Sequence, residues 1–129
     1  MVMRFKFFML LITVVLLTSC GGSDDSSNDE IIAEIPSIIV DKTSISFDDT
    51  MVSKSSSAAS ILVESKNVNS TVEISVTDGF EISSDNLNFG NSLTIDANQS
   101  KTVHVRFSPS KIQTYSGSID IKNSEANDV

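Results

Sequence analysis

Cysteine is almost missing from this chain: there is one, Cys20, and a lone thiol cannot close an internal disulfide. Secreted chains of this size often rely on such staples, so any fold here must rest on its apolar core alone. Tryptophan is absent, which removes the usual platform for sugar stacking. There is one histidine, His104, and no neighbour at ligand spacing gives it a second nitrogen or sulfur donor, so no metal site is expected. No glycine-rich loop could cradle a phosphate, and no nucleophile elbow accompanies any serine. No cofactor and no catalytic group is implied. Basic residues are scarce, 9 Lys and Arg against 17 Asp and Glu, and so acidic a surface repels a phosphate backbone. Nucleic acid is therefore not expected as a partner. Long apolar runs are missing too. Phe7 to Leu17, broken only by Thr13, would span roughly 16 Å as a helix, about half of a ~30 Å hydrocarbon core.

That short run has a different meaning in its context. Arg4 and Lys6 precede it and Leu17-Thr18-Ser19-Cys20 ends it: a charged segment, an apolar segment, then small residues, the plan of a secretory signal. The tetrapeptide resembles a bacterial lipobox. The resemblance implies cleavage between Ser19 and Cys20, loss of residues 1–19, and lipid on the sulfur of the new N-terminal Cys20, which would make the membrane itself a partner. Cleavage there removes two basic residues and no acid, leaving 7 basic against 17 acidic and a formal charge of −10. Residues 20–35 are rich in small polar and acidic residues, lack apolar periodicity, and read as a solvated acidic tether. Within it, Ser23-Asp24-Asp25 resembles the acidic export signal of Bacteroidetes surface lipoproteins. This implies an outer-membrane protein exposed at the cell surface.

From Pro36 the period changes to two. Val72, Ile74 and Val76 alternate with Glu73, Ser75 and Thr77; Val103, Val105 and Phe107 alternate with Thr102, His104 and Arg106. Tyr115, Gly117, Ile119 and Ile121 share one face, opposite Ser118, Asp120 and Lys122. Such alternation marks half-buried strands and sets His104 on a wet face. Shorter strands are expected at Ile38–Val40, Ser44–Phe47, Ser60–Glu64, Phe80–Ser83 and Leu93–Ile95. Turn material such as Lys66-Asn67, Asp78-Gly79, Asp85-Asn86 and Ala97-Asn98 separates them. Asp48-Asp49, Asp85-Asn86 and Asp96-Ala97-Asn98 carry hard oxygen ligands but lack the spacing of a calcium loop, and turn formation explains them. Many short strands joined by regular turns predict an all-β fold, an antiparallel sandwich over residues 36–129.

Two stretches sharpen this. Asp78-Gly79-Phe80-Glu81-Ile82-Ser83 with Asn88-Phe89-Gly90, and Val103 to Pro109 with Tyr115-Ser116-Gly117-Ser118-Ile119, resemble immunoglobulin-like modules of the choice-of-anchor or ASPM–SPD-2–Hydin-like group. The resemblance implies an immunoglobulin-like β-sandwich and is nearly silent on activity, since such modules also stand beside nucleases, peptidases and adhesin domains. Phe80, Phe89 and Phe107 are expected to fill its middle. Pro109 should end a strand. Tyr115 stands where a tyrosine corner would be, its hydroxyl returning to backbone upstream, and Gly117 occupies the place of the antibody cysteine. On this assignment a strand from Tyr115 to Lys122 is followed by Asn123–Val129, which reads as a turn, so the sandwich lacks its last strand. Three explanations stay open: a truncated reading frame or a fragment of a longer protein, internal repair by Ile38-Ile39-Val40 lying beside that strand, or a strand from another protein or a second copy adding to the Ile119–Lys122 edge by β-augmentation.

Modification motifs add one candidate. Asp49-Thr50-Met51 resembles the three-residue O-glycosylation motif of Bacteroidetes envelope proteins, with Thr50 as acceptor. Asn69-Ser70-Thr71 and Asn98-Gln99-Ser100 fit the asparagine sequon, but a bacterial lipoprotein rarely meets that machinery. The sequence as a whole points to a lipid-anchored envelope protein displaying a non-catalytic binding or scaffolding module. Its rival is the N-terminal part of a larger secreted lipoprotein enzyme, such as a nuclease or peptidase.

Overall fold

The computed structural model describes residues 2–4 and 34–126. Nine strands occur among them: β1 (Val2–Arg4), β2 (Ser37–Val40), β3 (Ser44–Ser46), β4 (Ala59–Lys66), β5 (Val72–Val76), β6 (Phe80–Ser83), β7 (Ser92–Ile95), β8 (Ser100–Phe107) and β9 (Ile119–Lys122). No helix interrupts them among the described residues. The β-branched residues and period-two alternation that predict strands produce them, and the turns fall where Asn can enter the left-handed region. Asn67, Asn86 and Asn98 have φ of 57°, 59° and 55°.

β2-β4-β8-β6 form one antiparallel sheet and β7-β5-β9 a second, while β1 and β3 pair apart from both. The fold is thus an all-β, immunoglobulin-like sandwich of two antiparallel sheets. Between them lie Ile61, Val63, Val103, Val105 and Ile82 of the first sheet and Val72, Ile74, Ile119 and Ile121 of the second, none more than 2% exposed. A row of rings continues this core. Phe47 lies 6.0 Å from Phe80, Phe80 is 5.4 Å from Phe107, and Phe107 meets Tyr115 edge-on at 5.3 Å.

Three expectations need correction. Phe89 is half-buried and outside the core. It follows the left-handed turn at Asn86 and lies under the Arg106 guanidinium, 4.0 Å from its ring centre, on the outer side of the sheet. Phe47 takes the third place in the aromatic row. Ile38-Ile39-Val40 does not repair the second sheet. β2 pairs with β4, from Ser37 opposite Lys66 to Val40 opposite Val63, and so belongs to the opposite layer from β9. Asp41 prolongs that pairing, its N–H bonding Leu62 O while its carboxylate accepts from Leu62 N–H at 2.7 Å. Finally, the paired strand begins at Ile119 rather than Tyr115. Thr77 explains the shift: its hydroxyl accepts from Ser118 N–H at 2.9 Å, replacing a ladder bond with a side-chain one.

Candidate functional site

β9 carries the first feature. It pairs with β5 along Glu73–Val76, and among the described residues no strand lies on its other side. The Thr77 N–H bonds Ser118 O at 3.2 Å, and antiparallel ladders alternate from there. Asp120 and Lys122 therefore turn their backbone groups toward β5, whereas Ile119 and Ile121 turn theirs to the free edge. Their side chains, 2% and 0% exposed, point into the sandwich. Among the described residues the edge is thus anchored by its side chains and unpaired along its backbone.

The segment after β9 is held down rather than paired. The Asn123 amide donates to Ser70 O and Thr71 O, both at 3.1 Å, while its carbonyl accepts from Glu125 N–H and Ala126 N–H at 2.9 and 3.0 Å. The Glu125 carboxylate accepts from Asn69 N–H at 3.1 Å. Bonds from the Asn69 backbone, followed by the Ser70 hydroxyl, lower the Glu125 pKa. The expected turn after β9 thus folds back over residues 69–71, away from the free edge's place in the ladder.

Upstream of β9 the Tyr115 hydroxyl accepts from Lys111 N–H at 2.9 Å and Ser110 N–H at 3.2 Å and donates to Lys111 O at 3.3 Å. Hydrogen bonding from the Ser110 side chain, against the opposing effect of burial, lowers the phenol's pKa. Gly79, at φ 89°, lets the ring pass: a Cβ there would stand 2.5 Å from the Tyr115 ring. The loop before Tyr115 is thereby fixed, and it forms one wall of a cleft of about 460 Å³.

Asp49–Val52 form the opposite wall, and the core ring of Phe107 lines the cleft with Pro109. Backbone bonds hold the walls in place, from Ser53 N–H to Pro109 O at 3.0 Å and from Ser56 N–H to Phe107 O at 2.9 Å. Met51 and Ile112 stand at its rim, 74% and 96% exposed. Sequence reasoning missed this cleft. Its signal was two apolar residues, Met51 and Ile112, stranded in turn-like segments. Thr50, the glycosylation candidate, lines the cleft half-buried, its hydroxyl donating to Asp48 O at 3.1 Å.

The other candidates serve the fold. The Asp85 carboxylate accepts from the Ser83 hydroxyl, Leu87 N–H and the Asn88 backbone and side chain, within 2.7–2.9 Å, which pulls its pKa far below the carboxylate range. Asn69 and Asn98 of the two sequons bond Glu125 and Val68. His104 is half-buried on β8, between Ser60 of β4 and Ser83 of β6. Among the described residues no group of three or more His, Cys, Asp or Glu side chains could hold a metal, and no helix is long and apolar enough to cross a membrane. Ser19, Cys20, Ser23, Asp24 and Asp25 lie outside the described residues.

Against this geometry, a family model described as Cep192 domain 4 matches residues 35–129, the whole sandwich. The chain belongs to the Cep192 domain 4 family. Membership in the Cep192 domain 4 family sets the module among immunoglobulin-like domains of the ASPM–SPD-2–Hydin-like kind, in agreement with its two antiparallel sheets. A search of curated proteins gave no match, and neither did a search of solved structures.

Proposed function

We propose that this chain is a lipid-anchored cell-envelope protein whose immunoglobulin-like module binds or scaffolds a protein partner and carries out no chemistry. The division is a leader at 1–19, a tether at 20–35 with lipid on Cys20, and the module from 36 onward. Support for anchoring comes from Leu17-Thr18-Ser19-Cys20 and the apolar run before it; support for the outer surface comes from Ser23-Asp24-Asp25. The observation that carries the binding role is the free edge of β9, where Ile119 and Ile121 present backbone donors and acceptors with no strand beside them among the described residues. Proteins normally cover such an edge, and an extended peptide can add to it by main-chain hydrogen bonds.

Expression of the full chain and its Cys20→Ser variant in bacterial cells tests the anchor. Labelled fatty acid should enter the first and not the second, and the variant should leave the membrane fraction. Unchanged processing and retention in the variant would overturn the anchoring. Protease shaving of whole cells should release the module if it faces outward.

A further inference from the structure

We propose that the free edge of β9 and the cleft between Asp49–Val52 and the 109–114 loop form one continuous acceptor for an extended, basic segment of another protein. This rests on the binding role given to β9 above and adds the shape and chemistry of what binds. A strand antiparallel to β9 enters beside Lys122, passes Ile121 and Ile119, and leaves along Ser118 to Tyr115. Thr114, the next residue, lines the cleft. About five residues of extended chain, roughly 17 Å at ~3.3 Å each, cover the distance from Ile119 to that wall.

Three observations make the cleft the end of the same groove. Its lining includes Phe107, a core ring only 5% exposed, so the floor of the open cleft touches the aromatic row of the core. Its two walls belong to the segment after β3 and the segment that leads into β9. β3 pairs with β1 and with neither main sheet, and β9 is an edge strand of the second, so both walls adjoin the margins of the two main sheets. The exposed rim, Met51 and Ile112, suits a bulky apolar side chain, and the volume of about 460 Å³ admits one.

Charge selects the occupant. Of the 17 acidic residues 12 lie at 36–129, against 7 of the 9 basic ones. Asp49 lines one wall of the cleft and Lys111 the other, so the acidic excess that bears on the occupant is that of the module as a whole. A second copy of the chain would bring like charge to like, whereas a segment with Lys or Arg at its outward positions meets an opposite field. The occupant is therefore a strand with apolar residues alternating inward, basic residues outward, and a large apolar residue about five positions beyond the paired stretch.

The test uses the full chain and a synthetic peptide of about twelve residues alternating valine and lysine, with leucine at the cleft position. A second peptide carries serine there. The leucine peptide should protect the Ile119 and Ile121 amides from deuterium exchange and bind about tenfold tighter than the serine peptide. Ile112→Asp and Met51→Asp change exposed residues, so folding should survive. Each should remove that tenfold preference while the amides stay protected. Equal affinity of both peptides for the native chain would overturn the joined groove and leave the β9 edge standing. Absence of protection with either peptide would overturn the edge as well. Protection that grows with the concentration of the chain alone would make a second copy the occupant and overturn the basic partner.

Discussion

At the β6 edge of the four-stranded sheet the chain covers itself at one residue pair. Ile82 of β6 exchanges both backbone hydrogen bonds with Gly90, at 2.7 and 2.9 Å, because the segment from Ser84 folds back along the strand. Asp85 draws the turn tight by gathering Ser83, Leu87 and Asn88, and Arg106 lies over Phe89 near its end. At the edge of the three-stranded sheet the segment after β9 instead turns away, toward Asn69–Thr71, through Asn123 and Glu125. Both edge strands bury isoleucines equally well: Ile82 is 1% exposed, Ile121 0%. The difference lies in backbone cover, not in side-chain burial. Among the described residues, then, a short local segment covers the β6 edge and none covers β9.

The largest effect should show that the two strands are equal inside. Ile82→Ala and Ile121→Ala each remove a fully buried side chain and should cost about 2–5 kcal/mol. Urea unfolding monitored by circular dichroism measures both. A cost below about 1 kcal/mol at Ile121 would mean that β9 is not part of the cooperative core, and the comparison of edges would fail.

Next in size is the backbone itself. In the native chain the Ile119 and Ile121 amides should exchange about a hundredfold faster than the Ile82 amide, although all three belong to buried residues. Residue-resolved hydrogen exchange by NMR reads this directly. Comparable protection at the three positions would show that β9 is covered.

Much of this fold was legible because period-two alternation reports burial directly. Val103, Val105 and Phe107 face the core as their spacing predicts, and the turns at Asn67, Asn86 and Asn98 follow from what Asn tolerates. Pairing was less legible. In Ile38-Ile39-Val40 every residue is apolar, so no alternation says which sheet receives it, and tertiary packing chose β4. Phe89 misled because a loop aromatic has no period; its place depends on Arg106, seventeen positions away, which no local pattern announces. The tail's turn was readable, but its destination over residues 69–71 was not, because Asn123 and Glu125 act through side chains on distant backbone. The cleft escaped for the same reason. It exists only between segments brought together by the bonds from Ser53 and Ser56 to Pro109 and Phe107.

A smaller effect should come from Asp85→Asn. The native carboxylate has its pKa depressed from 3.8, first by the Asn88 backbone N–H and then by the Ser83 hydroxyl. A group whose pKa is lower when folded stabilises fully above its unfolded value and loses that contribution as the solution becomes more acidic. Stability of the native chain should therefore fall below about pH 4, and the variant should lack this part of the acid dependence. Its Ile82 amide should also exchange faster, while Ile119 and Ile121 stay as they were. An unchanged acid profile would show that Asp85 does not hold the cover in place.

The smallest effect concerns the far end of that cover. Arg106 brings both Nε and Nη2 to the same Glu81 oxygen at 2.7 Å while its plane lies 4.0 Å from the centre of the Phe89 ring. Lysine could keep the charge but neither the fork nor the flat contact. Both partners of the ion pair are close to 30% exposed, so solvent screens much of the attraction. Arg106→Lys should accordingly lower stability by only about 0.5–1 kcal/mol, as a shifted urea midpoint with an unchanged slope. It should loosen Gly90 relative to Ile82 without touching β9. If Gly90 exchange is unaltered, the covered edge depends on the Asp85 turn alone, and the contrast with β9 reduces to one carboxylate.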